Sequence, residues 1–302
     1  MKSIEEKIQE LKKERGAIII AHNYQSDEVQ AIADFTGDSL ELSRKAAELD
    51  EEVVVFCGVH FMAETAAILS PEKTILIPDP FAGCPMADMI TADQLRAWKA
   101  EHPGAAVVCY VNSSAAVKAE CDLCCTSSNA MKIVASVPED QMVLFVPDTH
   151  LGNHVKQQLG RKNMLMWDGY CPTHSRIRDI DILREKEAHP NAVVMAHPEC
   201  PLPIRNLADE LLSTGQMCAF AQESDATEFI VATEIGILYR LRTENPGKKF
   251  YAVSDRALCP NMKKIDLEKI LWSLQDMQHR VVVPEETANK ARRSIEAMLE
   301  LS

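Results

Sequence analysis

Short, unbroken apolar runs alternate along this chain with segments in which apolar residues recur every three to four positions. The runs Ala17-Ile18-Ile19-Ile20-Ala21, Val53-Val54-Val55-Phe56 and Thr74-Ile75-Leu76-Ile77 lack the alternation of a half-exposed strand and are too short for helices, so they read as strands buried on both faces. Ile4, Ile8 and Leu11 mark a helix over about Ile4 to Glu14, with Ser3 as its cap and Gly16 as its stop. Val29, Ile32 and Ala33 mark a second helix, and Leu40, Leu42, Ala46, Ala47 and Leu49 a third. The third starts from a turn at Thr36-Gly37-Asp38-Ser39, where Asp38 or Ser39 is the natural cap. Phe61 to Leu69 reads as a fourth helix. Strands alternating with helices predict βα crossovers and a parallel sheet covered on both sides.

The pattern then returns with a period of about 87 residues. Ala105 to Tyr110 and Ala192 to His197 repeat the first run, and Lys99-Ala100-Glu101-His102-Pro103 lies 87 residues before Lys186-Glu187-Ala188-His189-Pro190. In register, His22, Tyr110 and His197 share a column at offsets of 88 and 87. Tyr24, Asn112 and Glu199 form a second column, and Ser39, Ser127 and Thr214 a third, at the same offsets. Cys84, Cys171 and Cys259, each followed by proline, form a fourth at 87 and 88. The predicted architecture is α/β: three pseudo-threefold-related units over 1–103, 104–190 and 191–302, each a small parallel sheet covered by helices, around a central cleft. A last helix from about Pro284 to Leu301 is expected to pack back on the first unit. Ligands of parallel sheets sit at the carboxyl ends of strands, and all four columns fall after strands or at helix starts.

The columns carry chemistry that single residues would not. Aligned apolar positions drift among Val, Ile, Met and Phe, whereas the Cys-Pro turns do not. Three thiolates with no fourth in register suggest a metal centre with an open position. A structural zinc site would be closed by four ligands, often as close pairs, whereas a 4Fe-4S cluster on three thiolates leaves one iron free to act as a Lewis acid. Ser39, Ser127 and Thr214 at helix starts suit a phosphate or carboxylate, although plain capping would place the same residues there. His22 and His197 could supply positive charge or acid–base catalysis, with Glu199 a proton acceptor and Tyr24 and Tyr110 donors. The CxxC in Cys121-Asp122-Leu123-Cys124-Cys125 has no second pair and is a weak zinc signal; Cys57 and Cys109 read as core.

Composition narrows the partners. A formal net charge of −13 argues against nucleic acid and anionic membranes, which call for a basic footprint. No apolar run approaches the roughly 20 residues of a membrane helix, and the N-terminus carries no signal region. A cytoplasmic location is therefore expected, where ten cysteines are more often buried, metal-bound or reactive than paired.

Taken together, Ala21-His22-Asn23-Tyr24-Gln25, Gly37-Asp38-Ser39, Phe61-Met62-Ala63-Glu64, Cys84-Pro85-Met86-Ala87, Tyr110-Val111-Asn112-Ser113, His197-Pro198-Glu199-Cys200-Pro201, Ser213-Thr214-Gly215-Gln216 and Thr233-Glu234-Ile235-Gly236 resemble the quinolinate synthase family over nearly the whole chain. The resemblance implies an enzyme of NAD biosynthesis that condenses iminoaspartate with dihydroxyacetone phosphate, losing phosphate and water to form quinolinate. It implies a 4Fe-4S cluster on Cys84, Cys171 and Cys259, and substrate contacts from His22, Tyr24, Ser39, Tyr110, Asn112, Ser127, His197, Glu199 and Thr214. The enzyme that supplies iminoaspartate is the implied protein partner. The chain lacks the C-terminal CxxCxxC of some members. Two other readings stay open at this point: a diphthamide-synthesis type of enzyme, whose cluster cleaves S-adenosylmethionine, and a non-catalytic iron or zinc centre that staples three units together.

Overall fold

The computed structural model describes residues 2–48 and 50–302; the Leu49 position assigned above to the third helix lies outside them. The first unit runs α1 (Ile4–Arg15), β1 (Ala17–His22), α2 (Asp27–Ile32), β2 (Phe35–Gly37), α3 (Ser39–Glu48), β3 (Val53–Cys57), α4 (His60–Leu69), β4 (Thr74–Leu76) and α5 (Ala92–Glu101). The second follows the same order: β5 (Ala106–Tyr110), α6 (Ala115–Lys118), β6 (Leu123–Cys125), α7 (Ala130–Ala135), β7 (Val143–Val146), α8 (Thr149–Leu159), β8 (Met164–Met166) and α9 (Asp179–Ala188). The third comprises β9 (Val193–Ala196), α10 (Leu202–Arg205), β10 (Glu210–Leu211), α11 (Thr214–Glu223), β11 (Glu228–Ala232), α12 (Ile237–Glu244) and β12 (Lys249–Ala252), followed by α13 (Leu267–Asp276) and α14 (Glu285–Glu300).

Each unit builds one four-stranded sheet, in the orders β2-β1-β3-β4, β6-β5-β7-β8 and β10-β9-β11-β12, and every pairing within them is parallel. Residues of the central β1, β3, β5 and β7 are buried throughout, as strands covered by helices on both faces must be. The chain is thus three similar α/β units, as the repeat predicts.

The short edge strands β2, β6 and β10 were not visible in the hydrophobic pattern, which reads Thr36 and Gly37 as turn. An aspartate sets each one. The Asp34, Asp122 and Asp209 carboxylates accept the backbone N–H groups of Ile19, Val107 and Val194 at 2.8, 2.7 and 2.8 Å. The N–H groups of the same aspartates donate to the carbonyls of those same three residues. Two bonds pin the chain beside the central strand, and a two- or three-residue strand follows.

The first two units share one continuous hydrophobic core with α13 and α14, while the third has separate clusters on the two faces of its sheet. The last helix bridges two units. α13 packs on α1, and α14 lies on β6 and α6 of the second unit and on α4 of the first. Its Ala291, Ile295 and Met298 are buried there, and Ser294 Oγ donates to Lys118 O at 3.0 Å and accepts from Cys124 Sγ at 3.4 Å. The α1 face was already covered by α13. Among the described residues no helix is long and apolar enough to cross a membrane.

Candidate active site

The three sheets aim their carboxyl ends at one cleft, and every member of the four columns lines it. Ligands of parallel sheets bind at such strand ends.

His22 ends β1, Tyr110 ends β5 and His197 follows β9. The two histidines sit in identical turns. His22 Nδ1 accepts the Tyr24 N–H at 3.1 Å, and His197 Nδ1 accepts the Glu199 N–H at 3.2 Å. With Nδ1 accepting, the proton of each neutral ring resides on Nε2. Burial pushes both pKa values down to about 3, so these groups are neutral hydrogen-bond donors and not the positive charges that their sequence positions allowed. The sign of the stability effect follows. Above pH 6.5 both rings are neutral, folded or unfolded; as pH falls towards 3 the unfolded chain binds protons that the folded chain refuses, and stability is lost. Between pH 7 and 5 that amounts to about 2 kcal/mol for each ring. His197→Gln should therefore lose about 2 kcal/mol less than the parent over this interval in denaturant titrations; an equal loss would mean that His197 is not held neutral.

The hydroxyl column is freer than its positions suggested. Asp38 caps α3, its Oδ1 accepting from the Leu40 and Glu41 N–H groups at 2.9 Å each. Ser213 caps α11 in a reciprocal pair with Gln216. Ser39 and Thr214 are thus first helical residues and their hydroxyls are not spent on capping. Ser127 lies three residues before α7, in the turn entering it, a small correction to its expected place at a helix start. Its Oγ is 3.1 Å from His197 Nε2. The α3 and α11 starts nearly touch: Asp38 Oδ2 accepts from Ser213 Oγ at 3.3 Å, and a Cβ at Gly215 would stand only 2.7 Å from that oxygen.

The cysteine column shows the strictest repetition. The Cys84 sulfur faces the N–H groups of Met86 and Ala87, that of Cys171 those of Thr173 and His174, and that of Cys259 those of Asn261 and Met262. These are always the residues two and three further on, and they form a donor nest of the kind that stabilises a thiolate. Burial nevertheless pushes all three thiols up, Cys84 to about 12, and neighbouring column members add to the shift at Cys84 and Cys171. Three converging sulfurs, each with two amide donors yet short of compensating positive charge, fit a thiolate-bound metal cluster. The other seven cysteines do not line the cleft. Cys124 and Cys125 lie in β6, with Cys121, the first cysteine of the CxxC, two residues before the strand, and Cys109 and Cys124 are register partners across β5 and β6.

Glu199 is the hub of the polar network. Its Oε1 accepts from Tyr110 Oη at 2.5 Å and from Asn112 Nδ2 at 3.4 Å, and its Oε2 lies 2.8 Å from His174 Nδ1, off the line of a hydrogen bond. Burial works against its charge, but the His174 ring beside it and the Tyr110 hydroxyl that donates to it outweigh burial and hold the carboxyl below the usual carboxylate range. Burial and Glu199 push Tyr24 and Tyr110 far up, so both remain phenols. Tyr24 Oη meets Thr233 Oγ1 at 2.5 Å, and Thr233 Oγ1 meets His174 Nε2 at 2.7 Å. The buried Asn112 Oδ1 has no hydrogen-bond partner among the described residues, leaving an acceptor for a ligand N–H or O–H.

Sequence reasoning missed His174, Thr233 and Glu234. Glu234 is fully buried, accepts the Cys259 N–H at 3.0 Å and pairs with Lys263 Nζ at 3.0 Å, while Lys263 also donates to Tyr24 O. Two of these residues stood in quoted motifs without a role; His174 and Thr233 have no like residue at the equivalent positions, whereas Glu234 answers to Asp148, each lying two residues beyond its strand, β11 or β7. Ligand atoms of Cys171, His174 and Glu199 lie within 4.8 Å of one another.

Comparison with known proteins follows the same lines. A family model described as quinolinate synthetase A protein matches residues 6–300. A quinolinate synthase of Dehalococcoides mccartyi strain CBDB1 is 59% identical over 296 residues, covering 98% of this chain and 97% of the relative. Quinolinate synthases of Methanoregula boonei and Thermodesulfovibrio yellowstonii are 52% and 51% identical over 298 and 296 residues, covering 99% and 98% of this chain and 98% and 97% of the relatives. Among solved structures, an E-1-hydroxy-2-methyl-but-2-enyl-4-diphosphate reductase from Plasmodium falciparum aligns over 91% of this chain and 94% of its own at 11% identity, with a TM-score of 0.34, too loose a likeness to bear on fold or chemistry.

Proposed function

The chain belongs to the quinolinate synthetase A family, and on that premise we propose that it condenses iminoaspartate with dihydroxyacetone phosphate to give quinolinate, phosphate and water in NAD biosynthesis. The observation that carries this reading is the set of three amide-lined thiols, Cys84, Cys171 and Cys259, opening on the same cleft as Glu199, the two tyrosines and the three hydroxyls. These thiols would hold a 4Fe-4S cluster, which when bound supplies one iron without a protein thiolate, a Lewis acid for a carboxylate, imine or oxygen of the substrate.

The chain's own groups divide the remaining work. Ser39, Ser127, Thr214 and the α11 N-terminus hold the triose phosphate, and negative charge gathering on the departing phosphate meets these donors. Glu199 is the base that removes protons during condensation and dehydration. Tyr24 and Tyr110, kept as phenols, return protons to leaving oxygen. His22, neutral with its proton on Nε2, donates to a substrate oxygen, and Asn112 Oδ1 accepts from the substrate's N–H or O–H. The substrates are small molecules, delivered in the cytoplasm with iminoaspartate from the enzyme that makes it; neither nucleic acid nor membrane takes part.

The grouping of Cys171, His174 and Glu199 favours a second reading, in which these three hold a single ion. Anaerobically prepared protein decides between them. About four irons and four sulfides per chain, with quinolinate formed from the two substrates, are expected. One zinc or iron per chain and no quinolinate would overturn the proposal in favour of the single-ion site.

A further inference from the structure

Two of the three cleft hydroxyls have their hydrogen-bond polarity decided by groups behind them. Asn23 is fully buried; its Nδ2 donates to Thr214 Oγ1 at 3.0 Å, and its Oδ1 accepts from Arg240 Nη1 at 3.0 Å. A guanidinium can only donate, so the carboxamide oxygen must face Arg240 and the NH2 group must face Thr214. Arg240 is itself fixed by Glu244 Oε1 at 2.8 Å and Glu41 Oε2 at 3.3 Å. Thr214 Oγ1 is thus loaded as an acceptor from behind, and its proton is left for the cleft. Ser127 is in the same position. His197 Nδ1 is occupied by the Glu199 N–H, so Nε2–H donates to Ser127 Oγ, and the serine proton is released in turn.

We propose that Asn23 and Arg240 are positioning residues that set the Thr214 hydroxyl as a donor into the cleft and so select a ligand group that only accepts hydrogen bonds, the phosphate of the triose phosphate. The inference rests on the anion-pocket reading above. It concerns how that pocket is polarised: a hydroxyl with both roles open would serve a sugar hydroxyl as well as a phosphate oxygen, whereas a pair locked as donors favours the phosphate. The relay also ties the units together, since Asn23 and Glu41 belong to the first and Thr214 and Arg240 to the third.

Asn23→Asp is nearly isosteric but replaces the donor end by an acceptor, drawing the Thr214 proton back from the cleft. Calorimetry of inorganic phosphate binding to the anaerobic holoenzyme should show a dissociation constant raised about tenfold, the scale of one hydrogen bond to a charged group. KM for dihydroxyacetone phosphate should rise by a similar factor, with a smaller change in kcat. Thr214→Val should weaken phosphate to the same degree, and the double variant should be no worse than either single, because both remove one donor. Additive losses would overturn the proposal, since simple charge repulsion by Asp acts whatever stands at 214. An Asn23→Asp affinity within twofold of the parent, beside a weakened Thr214→Val, would also overturn it. Phosphate binding unaffected by both Thr214→Val and Ser127→Ala would instead remove the anion pocket itself. Should Asn23→Asp fail to fold, Arg240→Met, which has no donor, carries the decision: the same rise, partly rescued by Arg240→Lys, is expected, and an unchanged affinity rejects the relay.

Discussion

Glu199→Gln is expected to lower kcat by a factor of about 10² to 10⁴, the usual worth of a positioned proton-transfer group. The amide is the same shape and its oxygen can still accept from Tyr110 Oη, now 2.5 Å from the carboxylate, so substrate binding should suffer far less than turnover. What it cannot do is take a proton. The carboxyl is held below its ordinary range, so its contribution to stability is present above the unfolded value near 4.3 and is lost as pH falls through the folded value. The Gln variant should accordingly be less stable at pH 7 and less sensitive to acid. Steady-state kinetics with both substrates checks the first expectation; a kcat within threefold of the parent would exclude Glu199 as the base.

Cys171→Ala should abolish both the visible absorbance of the anaerobically prepared protein and quinolinate formation. A cluster on three thiolates has no protein ligand in reserve, and the remaining cleft thiols, Cys84 and Cys259, are pushed towards the protonated form by burial. Cys121 sits outside the cleft, so Cys121→Ala should retain absorbance and turnover. A normal cluster in Cys171→Ala would reject the ligand assignment, and loss of the cluster in Cys121→Ala would show that the second cysteine group contributes to it.

The four columns were legible because the repeat presents each position three times. Core residues can exchange Val for Ile or Met at little cost, whereas a thiol or hydroxyl facing a cleft has no such substitutes, and side-by-side copies expose the contrast. His174 and Thr233 act through one unit only, and a single histidine or threonine in a sequence looks like any other; Glu234 is matched by Asp148 in the second unit but by Val59 in the first, so the column is broken. Asp34, Asp122 and Asp209 recur at offsets of 88 and 87, yet an aspartate in a turn is too ordinary to mark the edge strand it fixes. The apolar stripe of α14 specifies that the helix is covered but not that it bridges α4 of the first unit and β6 and α6 of the second.

The sequence by itself determined the three α/β units, the parallel sheets and the convergence of cysteines, hydroxyls and strand-end polar groups, since these follow from local periodicity and chain spacing. Only the tertiary structure decided that His22 and His197 are neutral donors, that Glu199 keeps its charge, and that Asp38 and Ser213 do the capping which leaves Ser39 and Thr214 free. Those properties depend on burial and on partners 70 to 217 residues away, as in His197 to Ser127 and Arg240 to Asn23. Protonation and hydrogen-bond polarity are set by what surrounds a group in space, and no spacing along the chain encodes that.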